Sequence, residues 1–302
     1  MKNLPLLMAF VALVACGEAP MEVDENRPDL SDLLDAGPAP AADAGAPAPA
    51  TDAGEAPEPN DAGNTEPADA GPPEPVVIEE VWAMKTVTSV LQTNPSPFGN
   101  DEKEIRTTSY LRAQVSRTGE GFDWEEVLCH METSPVRYGA ISTETNYPAA
   151  FVTHFPVFQR TGRFQDSGDF HAGPFATVVG AELDNPLTDP LPESAGEAGE
   201  VDADRDGNPG VTVEVSGTVS GEVYVVQRNI ITMRGRVRSE DRVEGLLNSE
   251  GAQIVLDASN RLLRSRVVSR RNPDDAASYF VLSRVEAGTS CDQIVDRADD
   301  LF

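Results

Sequence analysis

The chain has 302 residues, 39% of them hydrophobic, and a formal net charge of −28. That balance repels nucleic acid and anionic lipid headgroups, and it favours solubility and cation binding. Residues 17–75 are too polar to build a core, which leaves residues 76–302 for one well-buried domain.

The chain begins with one cation, Lys2, and an apolar run from Leu4 to Val14 that is too short to span a bilayer. The run ends in Leu13-Val14-Ala15-Cys16 and is followed by Gly17, the pattern of a signal peptide whose cleavage site precedes a cysteine. The motif resembles the lipobox of bacterial lipoproteins. In that family the cysteine is diacylglycerylated, the signal is cut before it and the new amino terminus is acylated. The resemblance covers about the first seventeen residues. It implies a signal peptide over 1–16 ending in acylated Cys16, and attachment to a membrane by covalent lipid. Two or three acyl chains anchor stably where one does so marginally. An Asp after the cysteine commonly retains members of the family in the inner membrane. Gly17 at that position implies the outer membrane, facing the periplasm or the cell surface. An ordinary secretory signal with a chance cysteine is the alternative.

Residues 17–75 carry fifteen acidic side chains against Arg27 alone. Asp-Ala-Gly recurs at Asp35, Asp43, Asp52, Asp61 and Asp69, with Pro and Ala between. Nothing in the repeat is apolar enough to stack, so the segment reads as a disordered acidic linker. Such a tether would span about 45 Å as a flexible coil and about 180 Å fully extended. Its one clump, Leu30-Ser31-Asp32-Leu33-Leu34, reads either as a short docking turn or as nothing.

From Val76 the patterning is mainly period two, with short apolar runs bounded by turn residues. Strands are expected around Trp82–Val90, Ile105–Val115 and Trp124–Met131. Tyr147–His154 is ambiguous in pattern: Pro148 can open a short helix that Pro156 would end. Residues 159–175, rich in Gly and charge, read as a long loop, and Thr177–Leu183 as a weak strand. Residues 184–210 read as an irregular excursion. Val211, Val213 and Val215 alternate with polar residues, and a hairpin at Ser220-Gly221 leads into Val219–Met233. Further strands are expected at Gly235–Arg238, Val243–Leu247, Gln253–Leu256, Leu262–Val268 and Ser278–Val285. Cys291–Leu301 reads as a short helix with Ser290 as its N-cap. The fold class is therefore mainly β: one antiparallel domain over 76–302, a meandering β-barrel or a sandwich, with a short C-terminal helix.

Three features bear on function. With Cys16 lipidated, Cys129 and Cys291 remain, and export to an oxidising compartment favours a disulfide over two separately buried thiols. Asp202, Asp204 and Asp206 stand at alternate positions of a loop, with Gly207 next, so that carboxylates can converge on a hard cation such as Ca²⁺. The stretch is similar to the first half of an EF-hand loop and to Asp-rich calcium repeats of secreted proteins. It departs from the EF-hand at position 12, which is Val213, with Glu214 one residue late. A remote carboxylate, for instance Glu200 or Asp184, would have to complete the shell, and a plain polar turn is the competing reading. Residues 228–271 hold ten arginines against five acids, which fits solvated strand faces or a groove for an anionic partner.

No nucleophile elbow, zinc-protease motif or phosphate-binding glycine loop is present. His130, His154 and His171 are too scattered to propose a zinc site. Trp82, Trp124, Tyr138, Phe151 and Tyr224 read as core or rim residues, or as the lining of a ligand cavity. The expected function is a lipid-anchored envelope protein, a binding or structural module for a small molecule or an envelope protein, without nucleic acid. An envelope hydrolase with an unrecognised site is the alternative.

Overall fold

The computed structural model describes residues 27–34, 77–96, 99–138, 141–264 and 268–302. Among these residues twelve strands form one antiparallel sheet. They are β1 (Ile78–Ser96), β2 (Gly99–Thr118), β3 (Gly121–Thr133), β4 (Val136–Tyr138), β5 (Ile141–Asn146), β6 (Phe158–Phe164) and β7 (Asp169–Val179). The chain continues with β8 (Val211–Gly217), β9 (Gly221–Ser239), β10 (Arg242–Ala258), β11 (Val268–Arg271) and β12 (Tyr279–Val285). Four short helices accompany them: α1 (Ser31–Leu34), α2 (Ala149–His154), α3 (Cys291–Asp296) and α4 (Ala298–Leu301). None is long and apolar enough to cross a membrane.

Eight strands follow one another in chain order, β1-β2-β3-β6-β7-β9-β10-β12, and β12 pairs back onto β1, closing a ring. The remaining strands extend positions already in it. A strand has two edges, and β10 occupies one edge of β9 along its length. β7 and β8 must therefore share the other, β7 against 227–236 and β8 against 221–225. They are one strand interrupted by residues 180–210. By the same logic β5 and β6 are one strand interrupted by α2, because β5 lies beside β8 and β6 beside β7. β11 and β12 likewise share one edge of β1.

Side chains from all eight positions meet in one cluster, which must be the ring's interior. Trp82, Phe122, Trp124, Phe170 and Phe280 fill its middle, each at most 2% exposed. The alternate residues of β1, β10 and β12 point the other way. On that outer face Val87, Leu246, Tyr279 and Val281 are covered by Leu30 and Leu33, and Ala83 is covered by Ile294 and Leu301 of α3 and α4.

Several expectations need correction. Residues 159–175 are mostly the hairpin β6–β7, turning at Gly168. The two central inward positions of β6 are held by Arg160 and Gly162, between Phe158 and Phe164, so the apolar alternation that marks a strand is interrupted. Arg160 is buried against Glu126 at 3.0 Å, with its guanidinium between Phe158 and Phe175. Gly162 leaves room for the Phe170 ring, 2.8 Å from where a Cβ would sit. The breaks expected between Met233 and Gly235 and at Asn248–Gly251 do not exist, since β9 and β10 pair from end to end. Leu262–Arg264, expected in a strand, belong to a 3-10 turn over Arg261–Arg264. The C-terminal helix is interrupted at Arg297, and Ser290 caps its first part reciprocally with Gln293. Within the stretch read as linker, residues 27–34 dock on the domain, so the Leu30–Leu34 clump is a docking turn.

Candidate metal site on the 180–210 excursion

The excursion starts and ends at one point. Gly180 and Gly210 both adopt a left-handed backbone (φ 76° and 75°), and both lie against the Val225 carbonyl of β9. A Cβ at Gly180 would stand 2.7 Å from that oxygen and 3.0 Å from the Gly210 Cα, so glycine is needed where the two ends pinch together. Between them the segment is ordered by its own backbone bonds. Val201 N–H donates to the Gly180 carbonyl, Glu182 N–H to Gly199, and Ala203 N–H to Gly210. Leu191 is buried against Val178 and Val226, and Arg228 donates to the Asp189 carbonyl at 2.6 Å.

This frame brings Asp202, Asp204 and Asp206 together, with one carboxylate oxygen of each within 4.8 Å of the others. Asp202 is oriented by the backbone N–H groups of Asp206 (3.2 Å) and Gly207 (3.0 Å). That tight wrap uses the left-handed backbone of Arg205 (φ 60°) and Gly207 (φ 91°). Asp206 accepts from Asn208 N–H at 2.8 Å, from its side-chain amide at 3.1 Å, and from the Thr212 hydroxyl. Burial pushes Asp206 up, but these bonds outweigh it and hold the carboxyl below its usual range.

Asp204 differs. It is 2% exposed, lies beside Phe151, Phe155, Val179 and Val211, and accepts the Thr212 backbone N–H on Oδ2 at 2.7 Å. Its Oδ1 is buried with no hydrogen-bond partner. Burial pushes the Asp204 carboxyl up, and the neighbouring acids Asp206 and Asp202 raise it further, while the Thr212 bond opposes them.

Three carboxylates at this separation repel one another by about 1–3 kcal/mol per pair at an effective dielectric of 80 to 20. A cation among them removes that repulsion and gives Asp204 Oδ1 its missing partner. Oxygens about 2.4 Å from a calcium ion can be up to about 4.8 Å apart, so the set fits such an ion. Glu200 is not a ligand here. Its two oxygens accept from Gly196 N–H (2.9 Å) and Gly210 N–H (2.8 Å), which braces the frame. Asp184 lies outside the converging group. Thr212, which fixes two of the three aspartates, carried no signal in the sequence beyond its place in an alternating strand.

Cys129 of β3 and Cys291 of α3 form a disulfide, with Cα atoms 4.9 Å apart. The histidines are dispersed: His130 stacks on Tyr110, His154 Nδ1 faces the Ala150 carbonyl, and His171 lies on β7. Trp82, Trp124 and Phe151 are core residues, and Tyr224 donates to Glu222 on the rim. The Tyr138 side chain, Cys16 with its leader, and the Asp-Ala-Gly repeats lie outside the described residues. Comparison with protein-family models, with curated proteins and with solved structures finds no match to this chain.

Proposed function

We propose that this is a lipid-anchored envelope protein whose β domain is a binding or structural module, braced by one calcium ion held by Asp202, Asp204 and Asp206. The observation that carries the calcium reading is the buried, unpartnered Oδ1 of Asp204 beside two further carboxylates. Only three protein side chains would contribute, so water must fill the shell. The affinity is then weak, on the order of 10⁻⁴–10⁻³ M, as in extracellular modules. An ion bound to the native state alone stabilises by RT ln(1 + [Ca²⁺]/Kd), about 2.7 kcal/mol at a hundred times Kd. The test is thermal unfolding with millimolar calcium and then with chelator. The Tm should rise with calcium, and Asp204→Asn with Asp206→Asn should abolish the rise. A wild-type Tm indifferent to calcium, with no heat on titration, would refute the site.

The anchor rests on Leu13-Val14-Ala15-Cys16 and on its resemblance to the lipobox. Cys16→Ser should abolish incorporation of a fatty-acid probe and release the protein from the membrane. Undiminished labelling of that variant would rule the anchor out. Gly17 supports the outer membrane, which fractionation on a density gradient checks.

A further inference from the structure

We infer that the outer face of β1, β9, β10 and β12 is a docking surface for an acidic, leucine-bearing peptide, that residues 27–34 of this chain are its occupant, and that occupancy sets how far the domain stands from its membrane. The tether part rests on the Cys16 anchor proposed above. The docking part does not.

The surface has an apolar floor and a basic rim. On the floor, Leu30 and Leu33 are each 2% exposed against Val87, Leu246, Tyr279 and Val281. The rim is a ladder. Arg234, Arg236 and Arg238 are alternate residues of β9, so their side chains share one face. Arg238 grips both oxygens of Asp32 at 2.9 Å and donates to the Asp29 carbonyl at 3.1 Å. Arg236 joins it on Asp32 at 2.9 Å, and Arg234 donates to the Leu33 carbonyl at 3.0 Å. Arg27 reaches Asp274 at 3.2 Å. The contacts therefore read backbone, carboxylate and two leucines together. The α1 helix is a single turn of four residues, too short to persist alone in water. The turn exists because the domain holds it.

Docking divides the tether unequally. Only residues 17–26 lie between Cys16 and the docked segment. Ten residues reach at most about 35 Å, whereas the released tether could extend to about 180 Å. Docked, the domain stays against its membrane. Undocked, it can reach several times further. The interface is small, with two leucines and a cluster of partly exposed ion pairs, so it belongs to the low-stability end of the molecule and opens without unfolding the ring.

The experiment uses the full acylated chain in liposomes containing a dansyl-labelled lipid. The donors are Trp82 and Trp124, the two tryptophans of the chain, both buried in the ring. Wild-type protein should transfer energy to the labelled bilayer. The double variant Leu30→Asp with Leu33→Asp should lose most of that transfer while still sedimenting with the liposomes and keeping its β circular dichroism. Equal transfer in both proteins would overturn the tether-length inference, as would wild-type protein that fails to sediment. Hydrogen exchange reads docking independently. The Leu33 and Leu34 amides, which donate to the Leu30 carbonyl, should exchange at least ~10-fold slower than in the double variant. Asp32→Ala, which leaves the floor intact, should fall between the two. Exchange in the wild type as fast as in the double variant would remove the docking surface itself.

Discussion

Asp204 concentrates the chemistry of the excursion in one atom. An unsatisfied buried acceptor costs about 1–3 kcal/mol, and here the acceptor belongs to a carboxylate that burial already disfavours in its charged form. Its folded-state pKa is raised, so the protonated form favours the native state. In calcium-free protein the Asp204 contribution to stability should be present in acid and be lost as pH rises through the raised pKa. Protons and calcium compete for the same oxygens, so calcium stabilisation should grow over that same rise. Asp204→Asn separates the two effects. Its amide oxygen can still accept the Thr212 N–H, and its nitrogen can donate to the Asp202 carboxylate. The variant should melt higher than wild type in chelator, by about 1 kcal/mol or more, and should not respond to calcium. A lower Tm in chelator would mean that the orphan oxygen carries no penalty. The alternation of the three aspartates was legible in the sequence. The cover over Asp204 was not, because Phe151 of α2 and Phe155 just after it lie about fifty residues earlier in the chain.

At the scale of the element, glycines decided which strands were legible. Where apolar residues alternate, as at Val211–Val215, pattern and strand coincide. β9 and β10 run on through the breaks that the pattern predicts between Met233 and Gly235 and at Asn248–Gly251. Gly235 and Gly245 in fact face each other across the pair, under the Phe280 ring. A Cβ at Gly245 would lie 2.5 Å from both the Gly235 Cα and the ring, so the two strands and the core aromatic fit only without side chains there. Gly251 has no such duty: its Cβ would meet only the movable Asn229 side-chain oxygen. Gly245→Ala should therefore destabilise the domain by about 1–3 kcal/mol through overpacking. Gly251→Ala should be neutral or slightly stabilising, since it removes unfolded-state freedom at an exposed site. Urea denaturation of the two variants checks the contrast, and equal losses would contradict this account of the pairing. The same kind of packing explains why β6 does not read as a strand: its two central inward positions are spent on a paired arginine and a glycine.

For the whole molecule, the antiparallel β class follows from the many short apolar stretches separated by turn residues. Ring closure does not follow from them, because it depends on β12 returning to β1 across nearly the full length of the domain. The disulfide lies outside that closure. Cys129 is on β3, but Cys291 is on α3, after the last strand, so the bond fastens the C-terminal helices over Ala83 and does not hold the strands in register. The C-terminal segment has other attachments: Ser283 and Arg242 bond the Leu301 carbonyl, and Arg112 bonds that of Thr289. A cross-link over a sequence separation of 162 residues removes much freedom from the unfolded chain, up to about 5 kcal/mol in the chain-entropy model. Its loss should thus act mainly through the unfolded state. The variant Cys129→Ser with Cys291→Ser should keep the far-ultraviolet β signal and its calcium response, because the ring and the excursion are intact without the bond. Its Tm should fall, and by more than for Ile294→Ala, which removes buried contact but leaves the cross-link. Loss of the β signal itself at room temperature would show that the C-terminal helices are required for the ring to close.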